Sequence, residues 1–101
     1  MWTLWRRRDR GPVNMVVNFS NRSRSYDATR RAVRFWGYDR SMETSFFVTA
    51  DALKRIQPNL QPDEASLLRA FDSNRHLIYA AAAKVYAAGP KGSYELDAAD
   101  F

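Results

Sequence analysis

Arg31-Ala-Val-Arg-Phe-Trp-Gly-Tyr-Asp-Arg-Ser-Met-Glu-Thr-Ser-Phe-Phe-Val-Thr49 decides the fold of this chain. Side chains of a strand alternate between its two faces. A strand from Val33 to Tyr38 therefore puts Val33 and Phe35 on one face and Arg34, Trp36 and Tyr38 on the other. Asp39-Arg-Ser41 makes the reversal. A second strand, Met42 to Thr49, places Met42, Thr44, Phe46 and Val48 on one face and Phe47 on the opposite one. Both faces carry aromatics, so neither is plainly the solvent side.

Toward the C-terminus, Thr49 is placed to cap a helix over Ala50 to Gln57, with Asp51 at its positive end and Leu53 and Ile56 buried. Pro58-Asn-Leu-Gln61 is a linker. Pro62 suits a first helical position, Asp63 and Glu64 a first turn, and Gly89-Pro90 a stop. Leu67, Leu68, Phe71, Arg75, Ile78, Ala82 and Val85 recur at helical spacing. One helix over 62–88 would measure about 40 Å, against about 20 Å for the strands. It must overhang the sheet or bend near Asp72-Ser-Asn74. An overhanging Ala80-Ala-Ala-Ala83 segment could pack against a second copy, so a homodimer is one expectation. Ser93 to Asp97 is a final strand with Tyr94 and Leu96 facing one way, returning beside the first or third strand.

Toward the N-terminus, Met15-Val-Val-Asn-Phe19 reads as a short strand, Ser20 to Ser25 as a polar loop and Tyr26-Asp27 as a turn. Residues 1–14, broken by Gly11-Pro12, read as a flexible extension ahead of a single domain over 15–101, with Met15 as an alternative start. The resulting β-β-β-α-α-β order predicts an α+β fold, a small antiparallel sheet covered by one short and one long helix.

The chain has 101 residues, enough for one domain with a modest core. It contains no cysteine, which excludes disulfides and thiolate metal sites. Residues 1–40 hold ten Arg and three Asp, a balance of +7, and the remainder carries −2. A basic N-terminal part can attract phosphate backbones or acidic lipids. The apolar stretches fall short of the roughly 20 residues that span a membrane, and the start lacks a secretory h-region. A cytoplasmic protein without membrane contact is expected.

Ser25-Tyr-Asp-Ala-Thr-Arg-Arg-Ala-Val-Arg-Phe35, Phe46-Phe-Val-Thr-Ala-Asp-Ala-Leu53, Leu68-Arg-Ala-Phe-Asp-Ser-Asn-Arg75 and Ala99-Asp-Phe101 together resemble domain-of-unknown-function family 1488. The resemblance covers about residues 15–101 and rests on packing positions. It implies a small cytoplasmic bacterial α+β protein, and it brings no active-site residues to this chain.

His76 is the only histidine, so a histidine metal cluster is excluded. Asp72 lies one helical turn before it, and an exposed Asp–His pair is the plain reading. Arg75 falls on the apolar stripe. It must find a carboxylate if buried, with Glu43, Asp97 and Asp100 as candidates, or else serve as an anion-binding arginine. Arg34-Phe-Trp-Gly-Tyr-Asp-Arg40 interleaves basic and aromatic residues, a pattern that can stack bases and neutralise phosphate. Gly89-Pro-Lys-Gly92 lacks the length and ending of a phosphate loop.

These residues predict a non-enzymatic binding or regulatory module acting through protein contacts, needing no cofactor. The candidate binding residues are Arg34, Trp36, Tyr38, Arg40 and Arg75, and a flat apolar patch along Ala80–Ala88 would favour protein contacts. The alternative is a nucleic-acid-associated regulator using the Arg34, Trp36, Tyr38 and Arg40 strand face, assisted by the N-terminal arginines.

Overall fold

A computed structural model describes residues 17–89 and 91–101. The expected extension over 1–14 and the proposed start at Met15 lie outside these residues. Four strands form one sheet in the order β1-β2-β3-β4: β1 (Arg24–Asp27), β2 (Ala32–Asp39), β3 (Met42–Thr49) and β4 (Tyr94–Leu96). Three helices, α1 (Ala50–Ile56), α2 (Glu64–Ser73) and α3 (Arg75–Ala87), connect β3 to β4. The fold is α+β, as the order of elements predicts.

β2 and β3 form the predicted hairpin, with Asp39 opposite Met42 around a two-residue turn. Arg40 opens that turn at φ +60°, a position where glycine is the usual occupant. The register places Phe35 opposite Phe46, and Phe46 opposite Tyr94. One row of three rings therefore crosses three adjacent strands, with centroids 5.4 Å and then 5.2 Å apart. Phe71 of α2 lies 5.2 Å from Phe35. Leu53, Leu67, Ile78 and Ala82 complete the buried layer between sheet and helices. Aromatic pairs of this kind contribute about 0.5–1.5 kcal/mol each beyond the area they bury.

The sheet departs from the predicted antiparallel arrangement at one edge. β4 returns beside β3, one of its two expected neighbours, and runs parallel to it. A parallel neighbour needs a long crossover, and the helical layer supplies it. The predicted strand over Met15–Phe19 is reduced, in its described part, to a single bridge between Asn18 and Tyr38. Beyond that bridge the Asn18 side chain accepts the Ser20 backbone N–H and hydroxyl, and the Asn21 side chain accepts Ser23 N–H. These local bonds turn the chain away from the ladder. It rejoins as β1, in a segment whose polar composition reads as loop and turn.

The single helix predicted over 62–88 is two helices, broken at the expected bend. Asn74 has φ −124° and ψ 23°, outside helical values, and its Nδ2 donates to Ala70 O at 2.9 Å. The side chain thus occupies a carbonyl that would otherwise serve the helical ladder, ending α2 and releasing α3 at a new angle. Pro62 does not begin α2. Asp63 caps it, accepting Ser66 N–H at 2.8 Å. Thr49 caps α1 as predicted, through Ala52 N–H at 3.1 Å.

Gly37 leaves no room for a side chain in the core. A Cβ there would lie 2.7 Å from the Val17 side chain and 2.9 Å from each of the Phe19 and Phe46 rings. Phe46 is fully buried and cannot retreat. Gly37→Ala is therefore expected to lose about 1–3 kcal/mol of stability. Urea unfolding followed by circular dichroism measures it, and an unchanged midpoint would refute the packing constraint.

Candidate binding surface

All three helices pack on the Phe35–Phe46–Tyr94 side of the sheet. The strand pleat sends Arg34, Trp36 and Tyr38 of β2 to the opposite face, with Glu43, Ser45 and Phe47 of β3 as their cross-strand partners. Glu95 of β4 stands beside Phe47. No described helix covers this face.

Its centre is a stack of guanidinium groups over rings. Arg30, from the turn between β1 and β2, sits 4.1 Å above the Phe47 ring centroid. Arg34 lies 5.1 Å from the Trp36 ring and 5.7 Å from Phe47. A cation over an aromatic face is attracted by the ring quadrupole, by about 0.5–1 kcal/mol at an exposed site. Phe47 is consequently only 6 % exposed although it faces away from the helices. Arg34 also donates to Ser45 Oγ at 2.8 Å. Its Nε is buried without a hydrogen-bond partner, an unusual state for a charged donor. Tyr38 donates to Glu43 Oε2 at 2.7 Å, and this bond holds its phenol above the ordinary value.

The structure thus brings together Arg34, Trp36 and Tyr38. Arg40 stands exposed on the hairpin turn, at the end of the same strand. Arg75 does not join them. It opens α3 on the helix side, where its side chain is only 11 % exposed. Its ion-pair partner is Asp72 at 2.7 Å, and none of Glu43, Asp97 or Asp100. Glu43 receives Tyr38, while Asp97 and Asp100 cap a closing 3₁₀ turn over Ala98–Asp100. The sequence places Asp72 and Arg75 three apart, the spacing of an ion pair within one helical turn. Arg30 is the residue of the face that sequence reasoning misses, because it lies in a turn with no periodicity to place it.

Asp72 also receives Arg24 of β1, Nε at 3.1 Å and Nη2 at 2.8 Å. It is therefore not committed to His76, which is exposed. Chiefly the Arg24 fork, and then Arg75, holds the Asp72 carboxyl below its usual range. Among the described residues no group of three or more His, Cys, Asp or Glu is arranged to hold a metal ion. Also among them, no helix is long and apolar enough to cross a membrane. Of the four alanines considered for a helix contact between copies, Ala82 is fully buried in the domain's own core and Ala80 is exposed.

One mixed sheet with a single helical layer and a charged, aromatic outer face defines a small α+β domain. Residues 17–96 match the family described as protein of unknown function DUF1488, and this chain belongs to that family. A crystal structure of a protein of unknown function from the DUF1488 family of Shewanella loihica PV-4 has a similar fold, with a TM-score of 0.72. The match spans 83% of this chain and 94% of that one at 16% sequence identity, a likeness of fold alone. No curated protein matches the sequence.

A depressed folded pKa stabilises the native state above the unfolded carboxyl value of about 3.9, and that contribution fades as pH falls through the folded value. The Asp72 side chain is 40 % exposed, so solvent screening limits its pairs. Asp72→Asn is expected to cost up to about 1 kcal/mol near neutral pH. Urea midpoints measured across pH should converge for the two proteins in the acid range. A constant gap would show that the charge is not what stabilises.

Proposed function

We propose that this domain is a non-catalytic binding module that engages another protein through the helix-free face of its sheet. The observation that carries this reading is the stack of Arg30 and Arg34 on Phe47 and Trp36. Tryptophan, tyrosine and arginine are the residues that dominate binding energy at protein interfaces. A guanidinium lying flat on a ring keeps its edges available to the carboxylates and carbonyls of a partner. The buried Arg34 Nε adds a donor that a small rotation on binding could satisfy.

Charge favours a protein over a nucleic acid. Glu43 and Glu95 share the face with the two arginines. Glu95 is the direct neighbour of Phe47, while Glu43 lies further along β3 at Tyr38, and both carboxylates would repel a run of phosphates laid along the face. A protein partner with mixed charge can meet both signs. The same surface could receive a second copy of the chain or a different protein.

The test is peptide display against the full chain, with selected peptides re-measured on Trp36→Ala and Arg34→Ala. Peptides carrying carboxylates are expected to be enriched. Either substitution should weaken them about 30-fold, the loss associated with a central interface residue. Peptides that bind both variants as well as the parent would sink the reading. Salt-sensitive binding of a single-stranded oligonucleotide, abolished by Trp36→Ala, would replace it with nucleic-acid recognition. Sedimentation of the parent and Trp36→Ala shows whether the partner is another copy.

A further inference from the structure

A second charged assembly lies on the other side of the sheet, at the β1 edge. Arg24 shares the core-side face with Phe35, its register partner, and reaches Asp72 on α2. Arg75 reaches the same carboxylate from α3. Arg22 is tied in through its backbone, since its carbonyl accepts Arg75 Nη2 at 2.9 Å. Together with Ser23 these side chains line an open cavity of about 440 Å³.

Charge does not balance in this cavity. Arg22, Arg24 and Arg75 line it with one carboxylate, Asp72, so positive charge exceeds negative by two. The Arg24–Asp72–Arg75 bridge links β1, α2 and α3 without the Arg22 side chain. The donors are also incompletely used. Arg24 gives Nε and Nη2 to Asp72, leaving Nη1 outside the fork. Arg75 gives Nη1 to Tyr79 and Nη2 to both Asp72 and the Arg22 carbonyl, leaving Nε. Arg22 and Ser23 are exposed residues of the cavity lining.

Arg75 itself is fixed. Three acceptors and the Phe71 ring, 4.7 Å below its guanidinium carbon, hold it in one position. A positioned arginine suits a multivalent oxyanion better than a mobile lysine does, because its donors are already oriented. We propose that Arg22, Arg24 and Arg75 form a binding site for a dianionic phosphate group, either free phosphate or a phosphate monoester. The anion occupies the cavity beside Asp72, bonded to the outer edge of Arg24, to Arg22 and to the Ser23 hydroxyl. Its two negative charges match the two positive charges in excess. Asp72 stays in place and keeps Arg24 and Arg75 together. This site lies on the opposite side of the sheet from Trp36 and does not depend on the proposed protein-binding face.

The test is titration of the ¹⁵N-labelled full chain with inorganic phosphate, and separately with phenyl phosphate. Sodium chloride keeps ionic strength constant. Saturable shifts are expected at residues 22–24 and 72–75, with a dissociation constant on the order of 1 mM. Tighter binding of phenyl phosphate would identify a monoester as the ligand, and equal or weaker binding would identify free phosphate. Arg22→Ala leaves the Asp72 bridge intact and should weaken binding about tenfold, the loss of one charge-assisted contact. Arg55→Ala, a surface arginine on α1, should not change it. Absence of saturation, the same shifts with chloride alone, or unchanged affinity in Arg22→Ala would each overturn the proposal.

Discussion

The row of rings formed by Phe35, Phe46 and Tyr94 is the constraint on which the rest of the domain depends. It crosses three strands at one level, so it fixes the register of β2, β3 and β4 together. A slip by one residue would turn every one of those rings to the wrong side. Phe71 and Tyr79 then seat the helices on the row. Gly37 leaves open the space at its end, where Phe19 packs at 5.5 Å from Phe46 and stacks on Tyr79 at 4.4 Å. The Phe19 ring, the Asn18–Tyr38 bridge and the Arg22 carbonyl bond to Arg75 thereby hold the segment before β1 to the body of the fold.

Placing every helix on one side leaves the other side to its own side chains. There the aromatic residues are covered by arginines, which screen apolar surface from water while remaining charged. The same choice of residues covers the rings and keeps the surface charged. The helix side shows the complementary solution. Its arginines converge on Asp72 and join three elements by charge, while the core beneath contains no buried polar or charged residue among those described. The two groups of arginines are therefore separated by the sheet.

Much of this architecture is legible in the sequence where period-two alternation is strong. The β2–β3 hairpin, the faces of its residues, the Thr49 cap and the buried contacts of the helices follow from local pattern. Elements with weak patterns do not. β1 holds one core-facing aromatic, Tyr26, among polar residues, and it becomes a strand only because β2 offers an unpaired edge. The parallel course of β4 depends on how far the helical layer carries the chain, which no local window contains. The break at Asn74 is suggested by composition, but a side chain bonding to Ala70 O decides it. On the helix-free face, alternation alone groups Arg34, Trp36 and Tyr38. Arg75 shares their chemistry and not their location, since charge type says nothing about which side of a sheet a helix will occupy.

The position of β4 bears on how the protein is made. Tyr94 and Leu96 are 1 % and 0 % exposed, and they pair with a strand synthesised before the entire helical layer. During translation the β2–β3 hairpin emerges first, with Phe46 lacking the ring that will flank it. Such a non-local pairing closes slowly, and a nascent chain with an uncovered apolar edge is prone to stick to others. Completion of the core therefore waits for a three-residue strand that follows the whole helical layer in the chain.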